Sequence, residues 1–332
     1  MSLEEFLSEW NSPSPYVHVQ TSGSTGDPKS MLVEKSRMLA SARITCDFLG
    51  LKPGDTALLC MSLDYIAGKM MVVRSIERHL NLITVAPSGH PLADNSSLFT
   101  LHSSLSFAAM VPMQVYNSLQ VPEERERLMQ IRHLIIGGGA IDDAMEAELQ
   151  TFPNAVWSTY GMTETLSHIA LRRINGPEAS EWYTPFPSVT VSLSDEGCLI
   201  IDAPEVCPEP LLTNDIANLS LGPGPSDRFF RILGRKDNVI CSGGIKIQAE
   251  ELERQLKPYM PIPYIISKRK DAKFGEIVVL LTEGSPEEAR TICEQHLQKF
   301  HQPKDYIHID RIPLTETGKP ARQKAMEFLE MR

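Results

Sequence analysis

Short apolar runs alternate with amphipathic stretches along the first half of the chain. The runs "DTALLCM", "NLITVAP" and "HLIIGGGA" have the length and composition of buried strands. The stretches "KSRMLASARITCDFLGL" and "AGKMMVVRSIERHL" repeat their apolar positions with the period of a helix. Because parallel strands need long crossover connections, this alternation predicts a mainly parallel sheet with helices on its faces.

The pattern changes from about residue 182 onward. Short strands separated by turns, as in "PSVTVSLSDEGCLIID", predict a small β region. The last part of the chain combines the strand-like "EIVVLLTE" with a helical stretch near "SPEEARTICEQHLQKF". We therefore predict an α/β protein that ends in a small α+β part.

Composition narrows the classes of protein. The 332 residues are 42% hydrophobic and 22% charged, which is typical of a soluble globular protein. A net charge of −10 argues against nonspecific binding to nucleic acid. No apolar run approaches the ~18 residues of a membrane span, and no signal peptide is visible, so we expect a cytoplasmic protein. The six scattered cysteines predict free thiols rather than disulfides or a zinc site.

A hydroxyl-rich stretch, "TSGSTGDPK" at residues 21–29, follows the strand-like "YVHVQ". It is not a Walker A loop, because Pro28 stands five positions after Gly23, where that motif has its second glycine. A turn of this composition can still present backbone N–H groups and hydroxyls to phosphate oxygens. Taken alone, it also fits a flexible linker.

Five further segments follow in a fixed order. They are "IIGGGA", "TYGMTET", "TNDIA", "GRKDNVICSGGIKIQAEELE" and "PLTETGKPAR". Together with residues 21–29 they resemble the motifs of the adenylate-forming superfamily, which includes acyl-CoA synthetases, luciferases and the adenylation domains of peptide synthetases. The resemblance implies a large N-terminal domain over residues 1–236, shortened relative to other members, and a small mobile C-terminal domain over residues 237–332.

The resemblance implies that most of these motifs bind ATP. Adenylation joins a carboxylate to the α-phosphorus of ATP, so Mg²⁺ and cationic side chains must neutralise two anions. Glu164 would bind Mg²⁺, Thr163 would contact the α-phosphate, and Asp215 and Arg235 would contact the ribose. The residues that would hold the phosphates are Thr21, Ser22, Gly23, Ser24, Thr25, Gly26 and Lys29. The residues that would enclose the adenine are Gly138, Gly139, Ala140 and Tyr160.

The same resemblance implies a function for the small domain. Lys319 would contact the carboxylate and the α-phosphate as the catalytic lysine. Rotation about Asp237 would then remove it and bring Gly243 and Gly244 to the tunnel that admits the thiol of coenzyme A. Asn214 stands where relatives have a glycine before the ribose aspartate. Because asparagine tolerates a positive φ, we expect the same turn here.

The chain also resembles the short o-succinylbenzoate–CoA ligases of menaquinone biosynthesis, including the segments "FLGLKPGDTALLC" and "DYIAGKMMVVR". This implies an acyl-adenylate followed by a CoA thioester. The aromatic carboxylate of that acid needs a cation or hydrogen-bond donor, for which Lys69, Arg74, Ser167 and His168 are candidates. Structural roles, as a packing arginine and a satisfied core histidine, are the alternatives for Arg74 and His168.

Three other functions stay open at this point. The chain could be a ligase for another aryl or fatty acid, or an adenylation enzyme that loads a carrier protein. It could also be an inactive nucleotide-binding relative, although Lys29, Glu164 and Lys319 are all present. The expected partners are ATP, a small carboxylic acid and coenzyme A, with no nucleic acid and no membrane span. The sequence leaves the oligomeric state open.

Overall fold

The computed structural model describes residues 1–20, 30–93, 105–222, 228–314 and 321–330. The chain divides into two compact units, each of which draws on several segments. The first unit comprises Met1–Ser192, Ile201–Leu211 and Leu219–Phe230, and the second comprises Leu193–Ile200, Leu212–Asn218 and Arg231–Arg332.

The chain begins with a helix and a two-stranded ribbon. Helix α1 (Leu3–Trp10) starts at a capping box between Ser2 and Glu5, which satisfies two backbone donors at the helix start. Strands β1 (Tyr16–Gln20) and β2 (Ser30–Glu34) pair antiparallel, and Gln20 lies opposite Ser30. The two strand ends therefore lie side by side at the point where the 21–29 stretch leaves and rejoins the ribbon.

A seven-stranded sheet forms the body of the first unit, and its order is β4-β3-β5-β6-β7-β8-β9. The neighbours from β4 to β7 are parallel, and β8 and β9 are antiparallel additions. These strands are β3 (Thr56–Leu59), β4 (Asn81–Thr84), β5 (Phe107–Met110), β6 (His133–Ile136), β7 (Ala155–Gly161), β8 (His168–Arg173) and β9 (Thr184–Pro185). All residues of β3 and β5 are buried, as expected for parallel strands covered on both faces.

Within the described ranges, five helices follow α1 and accompany this sheet. They are α2 (Lys35–Phe48), α3 (Ile66–Arg78), α4 (Pro112–Leu119), α5 (Pro122–Gln130) and α6 (Asp143–Leu149). Leu134 and Val156 of the sheet share one apolar core with Val115, Leu128 and Leu149 of the last three helices. Helices α2 and α3 pack beside each other, and both coincide with the helices predicted from the apolar period.

The predicted β region is a four-stranded sheet. Its strands, in spatial order, are β10 (Thr190–Leu193), β11 (Cys198–Asp202), β12 (Leu211–Leu221) and β13 (Arg228–Arg235). The division into two units runs through these strands, because residues 193–200 and 212–218 belong to the second unit.

The rest of the second unit is a five-stranded sheet with three helices. The sheet order is β15-β14-β17-β16, and β18 pairs with β17. The elements are β14 (Val239–Ser242), β15 (Ile245–Gln248), α7 (Ala249–Leu256), β16 (Tyr264–Asp271), β17 (Gly275–Thr282), α8 (Pro286–His296), β18 (Asp305–His308) and α9 (Arg322–Glu330). Leu252 of α7 and Cys293 of α8 belong to one apolar cluster, whereas Ala325 and Leu329 of α9 belong to another. The structure thus shows the α+β part predicted for the end of the chain.

No helix within the described ranges is long and apolar enough to cross a membrane. The same ranges contain no cluster of three or more His, Cys, Asp or Glu side chains that could hold a metal ion. All six cysteines are free thiols, and only Cys241 is exposed.

Candidate active site

The predicted adenine-binding residues lie where two neighbouring strands of the seven-stranded sheet end. Strands β6 and β7 are parallel, and Ile136 lies opposite Ser158. Gly138 and Tyr160 each follow two residues later, so both stand at the carboxyl ends of adjacent parallel strands. Ligands of open α/β sheets bind at this edge. Gly138 has a φ of +76°, a conformation that favours glycine and lets the chain turn directly after β6.

Three aromatic rings, those of Tyr160, Tyr183 and Phe230, pack together near these strand ends. The ring of Tyr160 lies 5.0 Å from Phe230 in an edge-to-face arrangement and 5.8 Å from Tyr183, measured between centroids. Tyr183 and Phe230 stack on each other at 5.4 Å, and the Tyr183 hydroxyl lies 2.8 Å from the Ser158 hydroxyl. Tyr183 and Phe230 therefore fix the orientation of Tyr160. Sequence reasoning missed both, because they lie outside the recognisable motifs.

The segment after Tyr160 is a tight turn. Thr163–Thr165 form one turn of 3₁₀ helix, and the buried Thr165 hydroxyl donates to the carbonyl of Ser167 at 2.8 Å. A Cβ atom on Gly161 would stand 2.2 Å from that same carbonyl oxygen, so only glycine fits. Leu166 is buried with a φ of +64°, which is uncommon for a residue with a side chain. Glu164 is exposed on this turn, and its carboxylate is an oxygen donor of the kind that Mg²⁺ prefers.

Three of the four candidate acid-binding residues form one hydrogen-bonded chain. The Arg74 guanidinium donates from Nη2 to the Ser167 hydroxyl at 2.6 Å. The Ser167 hydroxyl lies 3.2 Å from His168 Nδ1, and His168 Nε2 lies 3.1 Å from the Thr45 hydroxyl. Thr45 in turn reaches the carbonyl of Ser41 at 3.1 Å. Thr45 was not predicted, because nothing in the helical pattern of α2 distinguishes it from other buried positions.

The donors and acceptors fix the direction of this chain. Arginine has no acceptor, so the Ser167 oxygen accepts from Arg74 and its proton is available for His168. Thr45 gives its proton to a carbonyl, so it accepts from His168 Nε2. The His168 ring is then neutral and carries its proton on Nε2. Burial, and next to it the Arg74 charge, hold the pKa of His168 well below its usual value, which agrees with a neutral ring.

Arg74 is a buried cation that has no matching anion among the described residues. Its side chain is 2% exposed, and its Nε atom has no hydrogen-bond partner within the described part of the chain. Burial lowers the pKa of Arg74 to about 10, and among the described residues only the Cys46 thiol opposes this. Arg74 stays charged at neutral pH, so the structure retains an uncompensated positive charge beside the partly exposed Ser167.

Lys69 lies apart from that chain. Its buried ammonium donates to the carbonyl of His18 in β1 at 2.5 Å. Five residues separate Lys69 from Arg74 on α3, which places them roughly 140° apart around the helix axis. Of the four candidates, Lys69 is thus the one whose ammonium donates a hydrogen bond to the N-terminal ribbon.

The ribose candidates and the hinge candidate meet in the second unit. Arg235 lies 3.3 Å from Asp215 through Nη1 and 3.3 Å from Asp237 through Nη2. The turn expected at Asn214 is wrong: Asn214 lies within β12, and its φ is not positive. The pairing of a long strand overrides the local preference of asparagine for a turn.

Gly243 and Gly244 form the two-residue turn between β14 and β15. Ser242 and Ile245 are paired, and the φ angles of the two glycines are +58° and +85°. A hairpin turn with two positive φ angles needs residues such as glycine, so the hairpin by itself explains both. Nothing in the turn speaks for or against a contact with coenzyme A.

Arg322 anchors the helix that follows the proposed catalytic lysine. It contacts Glu253 of α7 at 2.5 Å and donates to the carbonyl of Ile266 at 2.6 Å. Burial alone would lower the pKa of Arg322, but Glu253 and Glu250 raise it above its ordinary value. The start of α9 is therefore fixed by an ion pair.

The remaining predicted residues fall outside the described part of the chain. They are Thr21, Ser22, Gly23, Ser24, Thr25, Gly26, Lys29 and Lys319.

Comparison with known proteins finds a matching family model, similar sequences and similar structures. The model of a family described as AMP-binding enzyme matches residues 6–210. A 2-succinylbenzoate–CoA ligase of Listeria monocytogenes serotype 4b (strain F2365) is 24% identical over 343 residues, which cover 97% of this chain and 72% of that protein.

Among solved structures, an acyl-CoA synthetase (AMP-forming)/AMP-acid ligase II-like protein of Dyadobacter fermentans DSM 18053 is 30% identical. The match has a TM-score of 0.65 and covers 98% of this chain and 93% of that one. The o-succinylbenzoate coenzyme A synthetase of Bacillus subtilis, in complex with ATP and magnesium ion, is 21% identical with a TM-score of 0.71, covering 92% and 69%. The fold class predicted from sequence is confirmed.

Proposed function

Because the chain belongs to the AMP-binding enzyme family, we propose that it is an ATP-dependent o-succinylbenzoate–CoA ligase. In the first half-reaction the aliphatic carboxylate attacks the α-phosphorus of ATP and expels pyrophosphate. In the second, the thiol of coenzyme A attacks the acyl-adenylate and releases AMP.

Described residues support the nucleotide part of this proposal. Gly138, Gly139, Ala140 and Tyr160 stand at the sheet edge where the adenine would bind, and Tyr160 is held by its aromatic neighbours. Thr163 and Glu164 follow on the tight turn, so the α-phosphate contact and the Mg²⁺ ligand would be set by one rigid segment. Bound Mg²⁺ would neutralise phosphate charge. The resemblance adds the residues at 21–29 for the outer phosphates.

One observation carries the choice of acid: a buried, charged Arg74 without a carboxylate partner among the described residues. Burying a cation without an anion is costly, so the residue is better explained by a ligand than by packing. The ring carboxylate of o-succinylbenzoate would supply that anion, reached through Ser167, which is the partly exposed member of the chain. His168 is buried and neutral. We propose that it holds the Ser167 hydroxyl in place and does not contact the acid.

For the second half-reaction we propose that residues 237–332 move relative to residues 1–236 about Asp237. This motion would withdraw Lys319 and bring the Gly243–Gly244 turn toward the thiol path. The Arg235 contacts with Asp215 and Asp237 would link the ribose contact to the hinge.

The test is ATP–pyrophosphate exchange followed by thioester formation with three acids. These are o-succinylbenzoate, 3-benzoylpropionate (which lacks the ring carboxylate) and a medium-chain fatty acid. We expect kcat/KM for o-succinylbenzoate to exceed that for 3-benzoylpropionate by at least about tenfold, the value of one charge-assisted hydrogen bond. A preference for the fatty acid would leave a general acyl-CoA ligase. No exchange with any acid would indicate an inactive relative.

A further inference from the structure

Strand β1 has a backbone edge that β2 does not pair. His18 lies in the middle of β1, and its N–H donates to the Glu9 carboxylate at 2.8 Å. Its carbonyl accepts from the Lys69 ammonium at 2.5 Å. Two side chains thus occupy positions where a third strand would supply hydrogen bonds, which satisfies polar groups that would otherwise be unpaired.

The same edge is fixed again at the end of the strand. Gln20 forms a parallel bridge with Tyr65, the residue that immediately precedes α3. Gly68, one residue before Lys69, packs so closely that a Cβ atom there would stand 2.3 Å from the carbonyl oxygen of Ser62. The first turn of α3 is thereby held against the preceding loop, and it presents Lys69 to β1.

Keeping the Lys69 ammonium buried is unfavourable in itself. The side chain is 2% exposed, and desolvation lowers its pKa, although the charges of Glu9 and Asp64 oppose this. A neutral apolar residue would fill the same space without that cost. The cost of burying this ammonium, which donates to the His18 carbonyl, therefore indicates that the position of that carbonyl matters for function.

We propose that Lys69 is a positioning residue for nucleotide binding, which it serves by fixing the end of β1. This inference rests on the proposed function, in which the stretch that begins one residue after Gln20 contacts the phosphates of ATP. It assigns Lys69 to the nucleotide rather than to the acid. Lys69 touches no substrate, and it acts through the backbone of His18.

The chain contains a matched control. Lys35 also donates its ammonium to a backbone carbonyl, that of Ser12 at 2.9 Å. That contact lies at the other end of the ribbon, since Ser12 precedes β1 and Lys35 follows β2. Lys35→Met and Lys69→Met therefore each remove one lysine–carbonyl contact from the same ribbon, and only Lys69→Met removes it near Gln20.

The experiment compares wild type, Lys69→Met, Lys69→Gln and Lys35→Met. Binding of ATP with Mg²⁺ is measured by titration calorimetry, and the KM values for ATP and for o-succinylbenzoate by pyrophosphate exchange. We expect Lys69→Met to raise the Kd and the KM for ATP at least about fivefold while the KM for the acid stays within about twofold. Lys69→Gln keeps a donor, so it should restore both ATP constants to within about threefold of wild type. Lys35→Met should leave them unchanged.

Three results would overturn the inference. One is an unchanged ATP constant in Lys69→Met, and another is an equal effect of Lys35→Met. The third is a Lys69→Gln variant as weak as Lys69→Met, which would assign the effect to charge rather than position. If Lys69→Met does not fold, Lys69→Ala takes its place, because it also removes the ammonium that binds the His18 carbonyl; its ATP constants are then compared with those of Lys35→Met. A wild-type protein that fails to bind ATP at all would refute the proposed function instead.

Discussion

Replacement of Arg74 by methionine should improve or preserve stability while it impairs selection of the acid. The lowering of the Arg74 pKa to about 10 means that the charged form is disfavoured in the folded state by about 3 kcal/mol. For a base with a lowered pKa, this cost is present at every pH below about 10, and it disappears as the pH rises from there through the ordinary arginine pKa. At neutral pH the folded protein therefore carries the full cost.

Arg74→Met removes that cost and loses the charge-assisted hydrogen bond to Ser167, which contributes about 1.5–3 kcal/mol. The free energy of unfolding at pH 7 should thus change by between about 0 and +1.5 kcal/mol. Discrimination between o-succinylbenzoate and 3-benzoylpropionate should fall by about 10- to 100-fold, because one charge-assisted contact is lost.

A partly buried arginine, Arg322, serves as the control. Arg322 has carboxylate partners in Glu253 and Glu250, so Arg322→Met leaves two acids uncompensated and should cost about 2–4 kcal/mol of unfolding free energy. The assays are urea unfolding at pH 7 and kcat/KM for both acids. An Arg74→Met protein that loses more than about 3 kcal/mol and keeps its acid discrimination would show that Arg74 is a structural residue.

Other expectations follow from the same structure. Lys319→Ala should slow adenylation by about 100-fold or more and retain thioester formation from supplied acyl-adenylate; equal losses in both half-reactions would contradict the domain rotation. Burial, with help from Arg132 and Arg173, lowers the pKa of His133 to about 4, so stability should fall as the pH drops from about 6.5 to 4, by about 1–2 kcal/mol for this partly exposed ring. Urea unfolding at pH 7 and pH 4.5 should show a smaller difference in His133→Gln than in wild type. In ¹⁵N NMR of the imidazoles, His168 should be neutral with its proton on Nε2 at pH 6, and a charged ring would refute the hydrogen-bond direction given above.

The sequence predicted those parts of the fold that depend on local pattern. Apolar runs of strand length became β3, β4 and β6, and the helical period became α2 and α3. Asn214 was predicted to turn because of its own preference, and it instead lies in an eleven-residue strand whose pairing decides its conformation.

The same difference between local sequence pattern and tertiary packing applies to the candidate site. Motifs that are continuous in sequence placed Glu164 and Tyr160 on neighbouring structural positions. The proposed acid site instead joins α2, α3 and the start of β8, and Thr45 lies 123 residues from His168. Such a chain depends on how three segments pack, so no pattern within one of them reveals it. Lys69 and Arg74 were both candidates from the same helix, and their different hydrogen-bond partners in the structure separated them.

The left-handed Leu166 has a consequence for how acid specificity can be changed. Its neighbours Thr165 and Ser167 are joined by a hydrogen bond across it, so the turn that carries Glu164 and the serine of the proposed acid site deform together. A substitution between Thr165 and His168 would alter both proposed substrate contacts at once, and we expect libraries built there to return mostly inactive clones. Arg74 belongs to a different element, α3, and contacts this turn only through the Ser167 side chain, not through its backbone. Directed evolution toward new acids should therefore accumulate changes on α3.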